Sequence, residues 1–163
     1  MAGVAPRVIE RRLGDETGTV ALAAAIADRA RAGDVIGLAG PLGVGKTRLA
    51  RAFIERLAGA GEEVPSPTFT LVQTYETGRA PVWHFDLYRL ERPEDAWELG
   101  IEEAFADGIA LIEWPERLGA LMPAERLDVA LDFAPELGPS GRRARLVGHG
   151  GWARRVEELA PRG

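Results

Sequence analysis

Gly40-Pro41-Leu42-Gly43-Val44-Gly45-Lys46-Thr47 fits the pattern G-x-x-x-x-G-K-[ST]. Each residue type in that pattern has a chemical task. The glycines permit backbone conformations and close approaches that a Cβ blocks. Backbone N–H groups along the loop, those of Leu42, Gly43, Val44, Gly45 and Arg48 among them, then turn toward phosphate oxygens. The N-terminus of the following helix adds to that pull. Lys46 places a compact charge on the β- and γ-phosphates, and the Thr47 hydroxyl is small enough to ligate Mg²⁺.

The chain's own composition weighs the alternative, a glycine-rich turn with an incidental lysine. With 20 Gly, a single Lys and nine Ser plus Thr in 163 residues, about 0.001 random matches are expected. Lys46 is the only lysine; every other basic side chain of the Lys and Arg total is Arg. A planar guanidinium does not replace a compact ammonium inside a tight loop. Working outward, residues 35–39 form a short apolar run before the loop. After it, Leu49, Ala50, Phe53, Ile54 and Leu57 recur at spacings of three and four, a helical stripe. Gly59-Ala60-Gly61 closes that helix. Strand, loop and helix follow in the order the pattern requires.

The rest of the chain reads as further strands and helices. Residues 7–13 suit an edge strand. Asp15 is a plausible N-cap for a helix to about residue 31, stopped by Gly33. Residues 68–76 and 82–87 read as a hairpin around Thr77-Gly78-Arg79. Pro93 opens a short helix to Leu99, stopped by Gly100, and residues 102–106 form another. Ile109 to Ile112 is a continuous apolar run, as in a strand buried on both faces. A helix starts at Glu113-Trp114-Pro115. Residues 127–133 and 143–147 read as strands, and 152–159 as a terminal helix. The expected architecture is one α/β domain over residues 1–163: a P-loop NTPase-like three-layer fold with a mixed, mostly parallel central sheet.

Composition limits the classes of function. Hydrophobic residues make up 46% and charged residues 28%, the balance of a globular chain. With no Cys and two His, neither a disulfide frame nor a thiolate or His-rich metal centre is available. Arg7, Glu10, Arg11 and Arg12 interrupt any signal-like apolar run, and no stretch reaches the ~20 apolar residues of a membrane span. A cytoplasmic protein without membrane contact is expected. The net charge of −5 argues against an unaided grip on a nucleic-acid backbone. A local basic group, Arg142, Arg143, Arg145, Arg154 and Arg155, runs against that trend. Residues 93–116 contain eight acids and no Lys or Arg. They form either a solvated acidic face or a docking surface for a basic partner.

A phosphate cradle binds nucleotide; hydrolysis also needs a metal held from a second side and a positioned water. Asp86 ends the run Val82-Trp83-His84-Phe85, and Glu113 ends Ile109 to Ile112. Strand ends in a parallel sheet line one edge, so either carboxylate can reach a metal there. Each also reads as an ordinary strand-end acid. Ser66-Pro67-Thr68 places hydroxyls of Ser66 and Thr68 on a stiff backbone, either a γ-phosphate sensor or a plain turn. His84 reads as a hydrogen-bonded core residue before a base. Trp83, Trp97 and Tyr88 read as core. Trp114 packs either near the nucleotide or in the core.

Gly40 to Thr47, Ser66-Pro67-Thr68-Phe69-Thr70-Leu71, His84-Phe85-Asp86-Leu87-Tyr88-Arg89 and Glu113-Trp114-Pro115 occur in this order. Together they resemble the TsaE family, the bacterial ATPases of tRNA threonylcarbamoyladenosine biosynthesis, from about residue 13 to 145. The loop alone is shared by many families; the combination is specific. The resemblance implies a Mg²⁺-dependent ATPase, weak alone, that binds ATP and ADP. It implies TsaB and TsaD as partners, with tRNA reached only through them. In this family the ATP cycle resets the transferring complex. By motif match, Lys46 and Thr47 bind phosphate and Mg²⁺, Glu113 ligates Mg²⁺, and Asp86 orients water or metal. Ser66 to Thr68 match a switch. A contact to the base from Asp15 to Thr19 and one to the nucleotide from Arg142 are carried over in the same way.

Two positions depart from the family pattern. Pro41 stands where an acid is common, removing an N–H and stiffening the loop. Arg48 stands where Thr is common, placing a cation by the phosphates. Other readings of the cradle are a small-molecule kinase and a nucleotide-gated binding module. A guanine-reading N-K-x-D motif is impossible in a chain with no Asn and one Lys already used.

Overall fold

The structure, a computed structural model, describes residues 4–59 and 71–161. One seven-stranded sheet organises it, in the order β1-β7-β6-β2-β5-β4-β3. The strands are β1 (Arg7–Leu13), β2 (Val35–Ala39), β3 (Val72–Tyr75), β4 (Val82–Asp86), β5 (Ile109–Glu113), β6 (Leu127–Phe133) and β7 (Arg142–Gly148). The four central strands β6, β2, β5 and β4 run parallel. β7 and β1 continue the sheet antiparallel on one side, and β3 on the other. The expected mixed sheet with a parallel centre is what forms, and β1 is its edge strand.

The central strands read as apolar runs because both faces are covered. On one face lie α1 (Glu16–Arg29) and α2 (Lys46–Ala58). Leu22, Ile26, Leu49, Phe53 and Ile54 from these helices pack with Ile36, Leu38, Leu111 and Val129 of the sheet. α4 (Trp152–Glu157) adds Trp152 and Val156 to that core. On the other face, Val35, Phe85, Ala110 and Ile112 pack with Ala96, Leu118 and with Ile101 and Ala104 of α3 (Ile101–Asp107). β5 thus sends alternate residues into both cores, the period-2 consequence of a strand between two layers. Fully burying a side chain such as Phe53 contributes roughly 1.5–3 kcal/mol.

Several boundaries differ from the sequence expectation for identifiable reasons. Asp15 does cap α1, its Oδ1 accepting from the Gly18 N–H at 3.2 Å. The helix ends at Arg29, before Gly33. Ala30 is already extended (ψ 148°), and its carbonyl accepts from Arg79 at 3.0 Å. A long-range arginine therefore stops the helix ahead of the glycine. Residues 93–99 and 115–121 are 3-10 turns. The second is broken by Gly119, at φ 51° and ψ −124°. Thr68 to Thr70, expected in the hairpin's first strand, lie outside the described residues. The strand proper starts at Val72, after Leu71 at φ 60°. Trp97 was expected in the core and is 46% exposed. Among the described residues, no helix is long and apolar enough to cross a membrane.

Candidate functional site

The parallel centre places three features on one edge of the sheet. The loop after β2 leads into α2, and β4 and β5 end beside it at Asp86 and Glu113. Gly45 caps α2 at φ 118°, and Gly43 sits at φ 77°, conformations that favour glycine. Gly40 has a second constraint besides its φ of 141°. A Cβ there would lie 2.4 Å from the Leu131 carbonyl oxygen of β6. The loop is therefore pressed against the sheet at a position only glycine fits.

Lys46, 5% exposed, turns its ammonium back into this loop. It donates to the carbonyls of Gly40 and of Pro41, the latter at 2.9 Å. The same nitrogen lies 4.0 Å from the centre of the Trp114 ring, a cation–π contact. Burial draws the Lys46 pKa below the ordinary lysine value, while the carboxylates of Glu113, Glu116 and Asp86 oppose that shift. Pro41 lacks an N–H, yet its carbonyl binds the key cation.

Thr47, the next residue, donates its hydroxyl to Oε1 of Glu113 at 2.8 Å. Glu113 is 2% exposed at the end of β5. Its other oxygen, Oε2, lies 2.7 Å from His84 Nε2 on β4. Thr47, Glu113 and His84 thus form a continuous chain from helix to sheet interior. Sequence reading placed His84 as a core residue, and it is wholly buried. Its partnership with Glu113 was missed. Strand alternation carried that signal, because residues 84 and 86 face the same side.

Asp86 pairs with Glu113 in register and accepts from the Tyr88 N–H at 3.2 Å. Its carboxyl is pushed above the usual aspartate value, chiefly by desolvation and further by Glu113. The Tyr88 N–H, His84 and Lys46 oppose the rise. Asp86 lines a cleft of about 270 Å³ together with Leu42, Lys46, Thr47, Glu113 and Trp114. Tyr88, expected in the core, is instead 43% exposed at this cleft, its ring tilted 51° against that of Trp114 with centres 4.9 Å apart. Trp114 adopts a left-handed backbone (φ 62°), uncommon for an aromatic residue. That turn lays its indole beside the loop, where it lines the cleft while also packing against the second core.

A second cleft, about 290 Å³, opens across Gly45 and Arg48. Glu16, Thr19, Val44, Ser140 and Arg142 complete its lining. Arg48 is not a free cation by the phosphates: its Nε donates to Glu16 of α1. Arg142 donates through Nε to the Val44 carbonyl at 2.8 Å, with its guanidinium 4.6 Å from the Phe133 ring centre. It therefore braces the loop while lining the cleft. The basic group seen in sequence is dispersed, since Arg143 pairs with Glu136 and Arg155 with Asp34. The acidic stretch is likewise not one face, because Glu113 is interior. Ser66 and Thr68 lie outside the described residues.

Oxygen donors suit a hard cation such as Mg²⁺, and Thr47 and Glu113 offer only oxygen. Among the described residues no group of three or more His, Asp and Glu side chains forms a metal cage. A cation at Thr47 would thus need ligands from a substrate as well, the usual situation for Mg²⁺ on phosphates.

The family described as "Threonylcarbamoyl adenosine biosynthesis protein TsaE" matches residues 13–142. A Rickettsia felis protein named tRNA threonylcarbamoyladenosine biosynthesis protein TsaE is 40% identical over 124 residues, 76% of this chain and 72% of its own. The Bacillus subtilis protein of the same name is 40% identical over 117 residues, 71% of this chain and 72% of its own. The crystal structure of YdiB from Bacillus subtilis superposes with a TM-score of 0.78 at 30% identity, covering 96% of each chain.

Proposed function

This chain belongs to the TsaE family, and we propose that it is the ATP-binding and ATP-hydrolysing component of tRNA threonylcarbamoyladenosine biosynthesis. The observation that carries this reading is the 2.8 Å bond between the Thr47 hydroxyl and Glu113 Oε1 at the foot of the glycine loop. It joins the loop's hydroxyl to an interior carboxylate at the point where a nucleotide's phosphates and their cation meet.

Each residue has a task in that reaction. Backbone N–H groups from Leu42 to Arg48, at the start of α2, hold the β- and γ-phosphates. Lys46 exchanges its carbonyl partners for phosphate oxygens. Thr47 and Glu113 are the residues that would hold Mg²⁺, directly or through water. Bound Mg²⁺ supplies charge neutralisation for the phosphoryl group in transfer. Asp86 faces the same cleft and orients the attacking water. Water's oxygen bonds to the γ-phosphorus, and the bond from that phosphorus to the β,γ-bridging oxygen breaks. ADP and inorganic phosphate leave, one water proton staying on the phosphate and the other passing to solvent. Trp114 and Tyr88 shield that cleft, and the second cleft at Thr19 and Arg142 takes the nucleoside end. Ser66 and Thr68 act as the switch that senses the γ-phosphate.

The protein acts with TsaB and TsaD in the cytoplasm, its ATP cycle supporting their turnover. It meets tRNA through them, as its net charge of −5 favours. The test is steady-state phosphate release with and without the TsaB–TsaD complex. A weak rate that rises on adding the complex is expected. A rate indifferent to the complex counts against the partnership, and no Mg²⁺-dependent release under any condition counts against the ATPase reading.

A further inference from the structure

We propose that His84 is a positioning residue that commits one oxygen of Glu113 to the protein interior and leaves the other to the cation. The proposal rests on the nucleotide reading above and names what shapes its metal site.

His84 and Asp86 occupy alternate positions on β4, on the face toward Glu113 of the neighbouring strand. The two oxygens of Glu113 are divided. Oε1 accepts from Thr47 at 2.8 Å, and Oε2 meets His84 Nε2 at 2.7 Å. A carboxylate only accepts, so Nε2 carries the hydrogen and donates. That bond is short, charge-assisted and fully shielded from water, conditions that make it strong.

The ring's other nitrogen sharpens the point. His84 Nδ1 has no hydrogen-bond partner among the described residues. A wholly buried imidazole carries a desolvation cost that an apolar side chain filling the same space does not. Its polar contact among the described residues is Glu113, and that contact explains its presence. A glutamate side chain rotates about three torsions. Anchored at Oε2, Glu113 presents Oε1 alone toward Thr47. A cation there receives one oxygen from Glu113 in a fixed direction rather than a mobile or bidentate carboxylate. Removal of such a supporting partner typically lowers metal affinity about 10–100-fold.

The experiment is calorimetric ATP binding to the full chain, in EDTA and across a Mg²⁺ titration, for wild type, His84→Ala, His84→Gln and His84→Phe. Thermal melts establish that each is folded. Gln keeps an N–H donor, whereas Ala and Phe remove it, Phe while filling the space. The expected result is ATP affinity in EDTA within about twofold of wild type for all folded variants. The Mg²⁺ concentration for half-maximal enhancement should rise about tenfold or more in Ala and Phe, with Gln near wild type. If Ala does not fold, Gln against Phe gives the same comparison. An unchanged Mg²⁺ requirement in Phe overturns the proposal, as does an equal loss of affinity in EDTA, which marks a purely structural role. Wild-type protein whose ATP binding ignores Mg²⁺ overturns the underlying nucleotide reading along with it. That outcome is distinct from variants that match a Mg²⁺-dependent wild type.

Discussion

Asp86 and Glu113 stand opposite each other in register across the parallel pair β4–β5, yet it is Glu113 that bonds to the Thr47 hydroxyl. One extra methylene and the hold of His84 carry Glu113 to Thr47, while Asp86 is engaged by the Tyr88 N–H. In the proposed function, equivalent strand positions are therefore divided between holding the cation and acting on water.

That division predicts separable defects. Asp86→Ala should bind ATP within a few-fold of wild type and lose hydrolysis by about 100-fold or more. Calorimetry and single-turnover phosphate release check this. Normal turnover would reduce Asp86 to a strand-end acid.

The raised pKa of Asp86 also gives a stability prediction. Folding favours its protonated form, so ionisation costs stability that grows as pH rises from the ordinary aspartate range and is complete above the raised folded pKa. Asp86→Asn should therefore melt higher than wild type at pH 7, by about 1–2 °C given the partial exposure of the group. The gain should shrink as pH falls through the raised value, and vanish below the ordinary aspartate range. Thermal melts from pH 3 to 8 test this, and a gain independent of pH would contradict it.

Lys46→Ala should weaken ATP binding about 100-fold, equivalent to about 2.7 kcal/mol. Lys46→Arg should fail comparably, because a planar fork does not fit between the Gly40 and Pro41 carbonyls and the Trp114 ring. Micromolar affinity retained in the alanine variant would remove the loop from the binding site.

Gly40→Ala tests the loop's seating. Its Cβ would meet the Leu131 carbonyl at 2.4 Å in a backbone conformation unsuited to L-residues. A loss of about 2–4 kcal/mol is expected, seen as a fall of about 5–10 °C in Tm. Gly43→Ala, with open space around its Cβ, should lose less. Equal losses would mean that backbone strain alone governs both sites.

Arg142→Ala should lower nucleotide affinity about tenfold by releasing the Val44 carbonyl. Little change in the turnover of bound ATP is expected, since Arg142 lines the second cleft, proposed above to take the nucleoside end. A selective loss of turnover would place it instead with the phosphates.

The legible parts of this chain were those written locally. The glycine loop, the stripe on α2 and the apolar run of β5 follow from spacing alone, and they locate the sheet edge where the carboxylates gather. What escaped depends on chain segments far apart in sequence. Arg79 ends α1 from 49 positions away, at Ala30. Arg142 reaches Val44 across 98, and His84 meets Glu113 across 29. Tyr88 and Trp97 were read as core because aromatic character does not say which way a residue points after a strand or turn ends. Tyr88 lies two residues past the end of β4, beyond the reach of strand alternation.

The ammonium of Lys46 is already liganded by the chain that carries it. In the proposed function, phosphate oxygens are therefore competitors for a coordinated cation, and nucleotide binding is a ligand exchange whose affinity is a difference between two sets of bonds. Pro41 enters that difference through its carbonyl. Loop substitutions that strengthen or weaken the internal ligands should move affinity in the opposite sense without any of them touching the nucleotide.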